Sequence, residues 1–260
     1  MTQWMVLYRK EWLELIRSSK LIWMPVVFIL LGAMQPIMTY MMPDIIANAG
    51  NMPEGTIIEI PTPHASEVLA QTLQQFGTLG LLIIALISMG TVSGERMSGT
   101  SAMILVKPVA YTSFVTAKWA AIVTITAISF VLGYGAGWYY TAALFDTVAW
   151  QDAAGSLLLF GLWLSFIGTL TILFSSLLRS AAAAAFTALG TAALLSIATS
   201  LLPKALAWSP GKLAGLASAQ LTSGTASGMW PVIGITFVCI IAALAISVWS
   251  LRKYPSIEAV

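Results

Sequence analysis

Long apolar stretches separated by short polar segments divide this 260-residue chain. Six of these stretches contain no Asp, Glu, Lys or Arg, and each exceeds the about 20 apolar residues that a helix needs to cross a bilayer. The last stretch is shortened to a span beginning near residue 230, because Gly, Ser and Thr are frequent in its first part. The uncharged stretches are residues 21–43, 68–94, 119–145, 153–178, 180–203 and 213–251.

This pattern predicts an all-α polytopic membrane protein with six transmembrane helices. We expect residues 1–260 to form a single transmembrane domain. The predicted spans, each about 20 residues or longer, are about 21–42, 68–92, 113–145, 154–178, 181–202 and 230–250.

Residues 3–19, which precede the first span, have the periodicity of an amphipathic helix. We expect this helix to lie on the inner membrane face as an interfacial anchor, with its apolar face in lipid. A helix that also contacts a partner protein is the alternative, and the sequence leaves both open. The apolar face carries Trp4, Met5, Tyr8, Trp12, Leu15 and Ile16, and the polar face carries Gln3, Lys10, Glu11, Glu14, Arg17 and Ser18.

The distribution of basic residues predicts the orientation of the chain. Only 8% of the residues are charged and 58% are hydrophobic, which is far from the composition of a soluble domain. If the N-terminus is cytoplasmic, ten of the 12 Lys and Arg residues lie inside and only Lys204 and Lys212 lie outside. We therefore expect a multi-pass protein of the cell inner (cytoplasmic) membrane with both termini cytoplasmic and 43–67, 146–152 and 203–229 outside.

The outer segment 203–229 is too apolar for an aqueous loop. Its leucines and Trp208 indicate one or two short helices that lie in, or dip into, the outer leaflet. Ser209 and Pro210 begin the main helix, and residues 222–228 end it.

Two groups of polar or small residues within the spans predict helix contacts. Gly133, Gly137 and Thr141 form a face of small residues suited to close helix packing. The amides at positions 71, 74 and 75 share one helix face. They either bond to a neighbouring helix, which we favour, or line a polar vestibule.

The sequence contains no motif for catalysis or metal binding. The nucleotide-binding loop G-x-x-x-x-G-K-[ST] is absent, and so are the metalloprotease and serine-hydrolase motifs. His64 is the only histidine and has no partner at ligand spacing, so we expect no metal or cofactor in this chain and no nucleic-acid partner. Uncharged spans also argue against an ion-coupled transporter and an intramembrane protease. The energy source is therefore expected in another subunit.

The inner loop between the second and third spans, residues 93–112, is the most informative loop. Thr100 or Ser98 caps a short predicted helix over about 101–106, and Pro108 ends it. The alternative is a plain interfacial turn.

Three features together resemble the permeases of type-2 ABC transporters (the ABC-2 membrane family). They are the basic amphipathic helix with Lys10-Glu11-Trp12, the six spans, and the pattern E-R-x-x-G-T followed by K-P-V at 95–109. The likeness is closest to short permeases of nitrous oxide reductase maturation and of peptide or antibiotic export and immunity. It implies that residues 3–19 form a connector helix and that the 93–112 loop carries a coupling helix that docks on the ATPase. The likeness places Glu95, Gly99, Thr100, Leu105 and Pro108 on family motif positions, and residues 209–213 resemble the outer re-entrant segment before the last span. The coupling residues that we expect are these five with Arg96, Met103 and Ile104. Glu95 should pair with a basic residue of the ATPase, and Met103, Ile104 and Leu105 should supply apolar contact area. The expected connector residues are Trp4, Tyr8, Lys10, Trp12 and Arg17.

The expected function is that of a non-enzymatic permease subunit of an ATP-binding cassette transporter. The resemblance implies export, and spans without charge favour a hydrophobic or amphipathic substrate such as a peptide, antibiotic or lipid. Expected partners are ABC ATPase subunits that bind ATP and Mg²⁺, a second or related permease copy, and membrane lipid. The alternative is a non-transporting membrane scaffold or sensor coupled to a signalling protein.

Overall fold

A computed structural model describes residues 3–48, 63–98, 110–224 and 228–253 of the chain, and all regular structure in these ranges is helical. The helices are α1 (Gln3–Arg17), α2 (Lys20–Asn48), α3 (Ala65–Gln75), α4 (Leu81–Ser88), α5 (Gly90–Met97), α6 (Tyr111–Leu144), α7 (Trp150–Leu177), α8 (Ala181–Leu201), α9 (Leu213–Ser223) and α10 (Met229–Lys253). A π-helical turn, Phe76–Gly80, joins α3 to α4, and a short 3₁₀ turn, Pro210–Lys212, precedes α9.

Within the described ranges, six helical segments are long and apolar enough to cross a membrane, which confirms the predicted fold class. The second span is composite, because α3, the π-helical turn, α4 and α5 together make up Ala65–Met97. The others are α2, α6, α7, α8 and α10. We call the end of the bundle that carries α1 and α5 the α1 end, and the end that carries α9 the opposite end.

The first span extends beyond its predicted end near Met42. Helix α2 continues through Pro43 and Asp44 to Asn48, and it also contains Pro25 and Pro36. A proline removes one backbone hydrogen bond and does not by itself end a helix in a membrane, where neighbouring groups can satisfy the freed carbonyl.

Helices α2 and α6 cross at very short distance through glycines. A Cβ atom placed on Gly133 would lie 2.4 Å from the carbonyl oxygen of Phe28, and one on Gly32 would lie 1.8 Å from the carbonyl oxygen of Gly133. Thr141 is buried and donates to the carbonyl oxygen of Gly137 at 2.7 Å. The predicted close packing of this small-residue face is confirmed, because no larger side chain fits at the crossing.

Aromatic rings fill the centre of the bundle. Phe76, the first residue of the π-helical turn, is fully buried, and its ring lies 5.4 Å from those of Phe28 and Phe130. The ring of Phe130 also lies 5.5 Å from that of Phe160. These side chains join α2, the second span, α6 and α7 into one core, because each buries a large apolar area.

At the opposite end, α9 packs against α7 and α3. The Ser209 side chain accepts a hydrogen bond from the backbone N–H of Gly211, Pro210 follows at the first turn, and Gly224 ends the helix with φ of 65°. The predicted helix start at Ser209-Pro210 is therefore confirmed. The buried face of α9 consists of Leu213, Leu216, Ala217 and Leu221.

Gln71 and Gln75, two of the three glutamines on this face of the second span, contact α2 as the favoured interpretation predicted. Gln35 donates to the Gln71 side-chain oxygen at 2.9 Å, and the Gln75 amide lies 3.5 Å from the sulfur of Met34. Polar side chains between membrane helices join the helices in this way.

Candidate functional site: an ion-pair cluster at the α1 end

Five charged side chains from three helices meet at the α1 end. The centre of this cluster is Lys118, two turns inside α6, whose Nζ lies 2.8 Å from Glu11 Oε1 and 2.9 Å from Glu95 Oε1. Glu11 belongs to α1 and Glu95 to α5. One ammonium group therefore joins three helices.

A second ammonium group, that of Lys10, completes the cluster. Its Nζ lies 3.0 Å from Glu11 Oε1 and 3.2 Å from Glu14 Oε2, and it also hydrogen-bonds Glu95 Oε1. Burial alone would lower the pKa of Lys10, but the hydrogen bond to Glu95 and the negative charges of Glu95 and Glu11 outweigh it and raise the pKa above its usual value. Lys10 therefore stays charged throughout the physiological pH range.

The cluster is buried at its centre. Lys118 is 2% exposed, and Glu11 and Glu95 are each 8% exposed. An isolated charge in such a place is strongly unfavourable, so the opposite charges and their hydrogen bonds are what make this burial possible. The ring of Phe114, 5.0 Å from Lys118 Nζ, adds a cation–π contact.

The carboxylates of Glu11, Glu14 and Glu95 approach one another closely enough to hold a metal ion, with ligand oxygens within 4.8 Å. The Lys10 ammonium contacts an oxygen of each of them. The structure therefore has a lysine side chain where a bound cation would lie, and its chemistry is that of a structural ion-pair network.

Helix α1 is held against α6 by more than the ion pairs. The Trp4 indole donates to Thr116 Oγ1, and the Tyr8 hydroxyl contacts Thr124 Oγ1, both at 3.2 Å. Trp12 is half-buried, whereas Arg17 at the end of the helix is exposed.

The face of α1 that contacts the protein differs from the prediction. Glu11, expected on the water-facing side, points into the bundle because the ammonium group of Lys118 lies there. The apolar residues Leu13 and Ile16 remain 53% and 52% exposed. Glu11 and the aromatic side chains of Trp4 and Tyr8 thus face α6. Helix α1 is therefore packed against the helical bundle.

The charged residues also correct two other expectations. The spans were predicted to lack charge, but Lys118 is a buried residue of α6, and Glu95 is a buried residue of the second span. Glu95 was expected to pair with a basic residue of an ATPase, but its carboxylate is buried and bound by Lys10 and Lys118 of the same chain. A buried carboxylate needs cations close to it, and those of Glu95 are two lysines of the same chain.

The other predicted coupling residues divide into two groups. Arg96, next to Glu95 in the last turn of α5, donates to the backbone oxygen of Ser176 at 2.9 Å. Ser98, the residue after Met97, is at the C-cap position of α5. The predicted helix 101–106 lies outside the described residues, as do Gly99, Thr100, Met103, Ile104, Leu105 and Pro108.

The Glu95–Lys118 ion pair joins the two helices that flank this loop. Glu95 lies one turn before the loop leaves α5, and Lys118 lies two turns after the loop enters α6. Lys10 and Glu11 tie α1 to the same pair. The cluster therefore holds the end of α5 and the first turns of α6 against α1.

Comparison with known proteins identifies the family. The sequence profile described as ABC-2 family transporter protein matches residues 5–253, nearly the whole chain. The chain belongs to the ABC-2 transporter family. It is also 38% identical over 254 residues to the uncharacterized transmembrane protein YxlG of Bacillus subtilis (strain 168), and the aligned region covers 97% of this chain and 98% of that protein.

Membership in the ABC-2 family makes the chain a multi-pass membrane permease and a non-catalytic subunit. It also implies ABC ATPase partners.

Proposed function

We propose that this chain is the permease subunit of an ATP-driven exporter, and that the ion-pair cluster couples its spans to separate ATPase subunits. The ATPases would bind ATP and Mg²⁺ and would dock on the 99–109 segment at the α1 end. Two permease copies, identical or related, would form the pathway between them. The observation that carries the proposal is the cluster itself, since Lys10, Glu11, Glu95 and Lys118 join α1 to both ends of that segment.

The charge distribution supports an orientation for this complex. Ten basic residues fall on the α1-end side of the predicted spans and two on the opposite side. By the positive-inside rule the α1 end is cytoplasmic, and both termini lie in the cytoplasm. ATP is available on that side, which is where an ATPase that drives export must dock.

The absence of charge from a large cavity supports a hydrophobic or amphipathic cargo such as a peptide, antibiotic or lipid. The cavity has a volume of about 680 Å³ and lies between α6, α7 and α10. Trp119, Phe130 and Phe237 are among its walls, and none of the described residues that line it is charged. Its size is within the about 300–1,000 Å³ typical of small-molecule sites.

Co-purification tests this function. The tagged permease should bring down an ABC ATPase from mild detergent, and the complex should hydrolyse ATP. Export is then measured in proteoliposomes, where each candidate cargo should leave the side on which ATP is hydrolysed. A complex that contains a signalling protein and no ATPase would refute the proposal and favour a scaffold or sensor.

A further inference from the structure

The junction between α4 and α5 lies in the second span, near the α1 end. Helix α4 ends at Ser88 and α5 begins at Gly90, and Met89 between them keeps helical φ and ψ of −58° and −39°. The side chain of Ser175, from α7, lies against this junction and is fully buried. The contact of α7 with the backbone is therefore what distinguishes this junction.

The Ser175 hydroxyl bonds to backbone groups at the junction and in the first turn of α5. It donates to the Met89 carbonyl oxygen at 2.6 Å, and it accepts from the backbone N–H groups of Val92 at 3.2 Å and Ser93 at 3.0 Å. A hydroxyl has one proton to donate and two lone pairs, so these three bonds use its full capacity. A side chain inserted beside the helical backbone is a recognised cause of a helix kink.

The backbone of α5 is unusually free to bend. A Cβ atom on Gly90 or Gly94 would meet no atom within 4 Å, so packing does not require glycine at either position. Glycine lowers helix stability relative to alanine because the backbone has more freedom to lose. These two glycines therefore weaken the segment that leads to the loop.

Helix α5 is held differently on its two sides. Glu95 binds it to α1 and α6 through the ammonium groups of Lys10 and Lys118. On the other side, α5 meets α7 through the neutral hydroxyl of Ser175 and through the bond from Arg96 to a backbone carbonyl. Glu95 makes two ammonium–carboxylate pairs, whereas the α7 side has the neutral Ser175 bonds and one charge-assisted bond, from Arg96 to a neutral carbonyl. Charge-assisted hydrogen bonds are roughly twice as strong as neutral ones, so the contact with α7 is the weaker of the two and opens first when α5 is pulled.

From these contacts we infer that the Met89–Gly90 junction is a hinge and that Ser175 is the latch that holds it closed. When the ATPases close, α5 swings away from α7 about this junction and stays bound to α1 and α6 through Glu95. Ser175 is a positioning residue, because it acts on the backbone of the second span and not on ATP or cargo. The inference rests on the proposed function and names the moving part of the coupling site.

A reversible disulfide tests the hinge. The hydroxyl oxygens of Ser93 and Ser175 are 3.2 Å apart, so Ser93→Cys and Ser175→Cys in a Cys239→Ser background should crosslink on oxidation. The oxidised permease should still bind its ATPase, but its stimulation of ATP hydrolysis should fall to the level of the ATPase alone. Reduction should restore it. The crosslinking yield should also be lower when the complex is trapped with ATP than when it is free of nucleotide.

The control pair is Thr199→Cys with Ser209→Cys, whose hydroxyl oxygens are 3.3 Å apart at the opposite end. Its oxidation should leave stimulation of the ATPase unchanged. Equal stimulation by the oxidised and reduced hinge pair, or equal crosslinking yields with and without ATP, would overturn the hinge while leaving the ATPase complex intact. Failure of any form to bind an ATPase would overturn the proposed function and the hinge with it.

A second variant avoids any disturbance from two buried cysteines. Gly90→Ala places a methyl group in open space and stiffens α5, so it should lower ATPase stimulation without lowering ATPase binding. Gly190→Ala is its control, since a Cβ atom there, in α8, also meets nothing within 4 Å. A Gly90→Ala permease that stimulates its ATPase like the Gly190→Ala permease would contradict the hinge.

Discussion

Lys118 determines how the α1 end is built. Its ammonium group is 2% exposed and contacts the carboxylates of Glu11 and Glu95, so neither the lysine nor the two acids could be buried without the others. Removing one partner of a buried ion pair is more damaging than replacing the whole pair, because the remaining charge stays desolvated. The cluster should therefore behave as one unit in mutagenesis.

Replacement of Lys118 by Met should destabilise the permease by about 3 kcal/mol, because it leaves two buried carboxylates with Lys10 alone. The midpoint of thermal unfolding in detergent should fall accordingly. The double variant Lys118→Met with Glu95→Gln should regain part of the loss, since one of the two carboxylates is then neutral. Lys204→Met, which changes an exposed lysine, is the matched control. A double variant less stable than Lys118→Met would contradict the pairing.

At the scale of whole elements, the glycine crossing of α2 and α6 brings these two helices closer than any side chain would allow. Interiors are packed too densely to absorb an added group at such a contact, and in a membrane this contact cannot be replaced by a hydrophobic driving force. The crossing also places α6, which carries Lys118, at a fixed position relative to the first span.

Gly133→Ala should force α2 and α6 apart, because the new methyl group would lie 2.4 Å from the Phe28 carbonyl oxygen. We expect aggregation or a much lower unfolding temperature. Gly135→Ala, two residues away on the same helix, meets nothing within 4 Å and should be neutral or stabilising by up to about 1 kcal/mol. Size-exclusion profiles and thermal unfolding of the two variants check this. Equal behaviour would show that the crossing is not close.

The elements were largely predictable from the sequence, and the cluster was not. Apolar length predicts the six spans locally, and the small-residue face of α6 and the Ser209-Pro210 helix start are likewise local patterns. The meeting of Glu11, Glu95 and Lys118 depends on how α1 docks, which no local pattern encodes. The one available signal was a lysine close to the start of a long apolar helix, where a charge needs a partner.

At the scale of the whole molecule, the orientation in the membrane is a prediction from charge. In a Cys239→Ser background, single cysteines at Asn51 and Ser223 should react with a membrane-impermeant maleimide added to intact cells. A cysteine at Ser98, at the α1 end, should react only after the membrane is opened. Labelling of Ser98→Cys in intact cells, or protection of both outer positions, would reverse the orientation.

The most direct test of the coupling account concerns the loop between α5 and α6, the helices that the cluster joins. Leu105→Asp removes an apolar anchor from the predicted ATPase contact, where loss of a central anchor often costs at least about 2 kcal/mol of binding. The variant should insert in the membrane normally but should bind its ATPase weakly and should neither stimulate ATP hydrolysis nor transport cargo. Ala205→Asp, which introduces the same side chain at an exposed position of the opposite end, should behave like the unmodified chain. If the Leu105→Asp permease binds and stimulates its ATPase as the Ala205→Asp permease does, the loop between α5 and α6 does not transmit ATP hydrolysis.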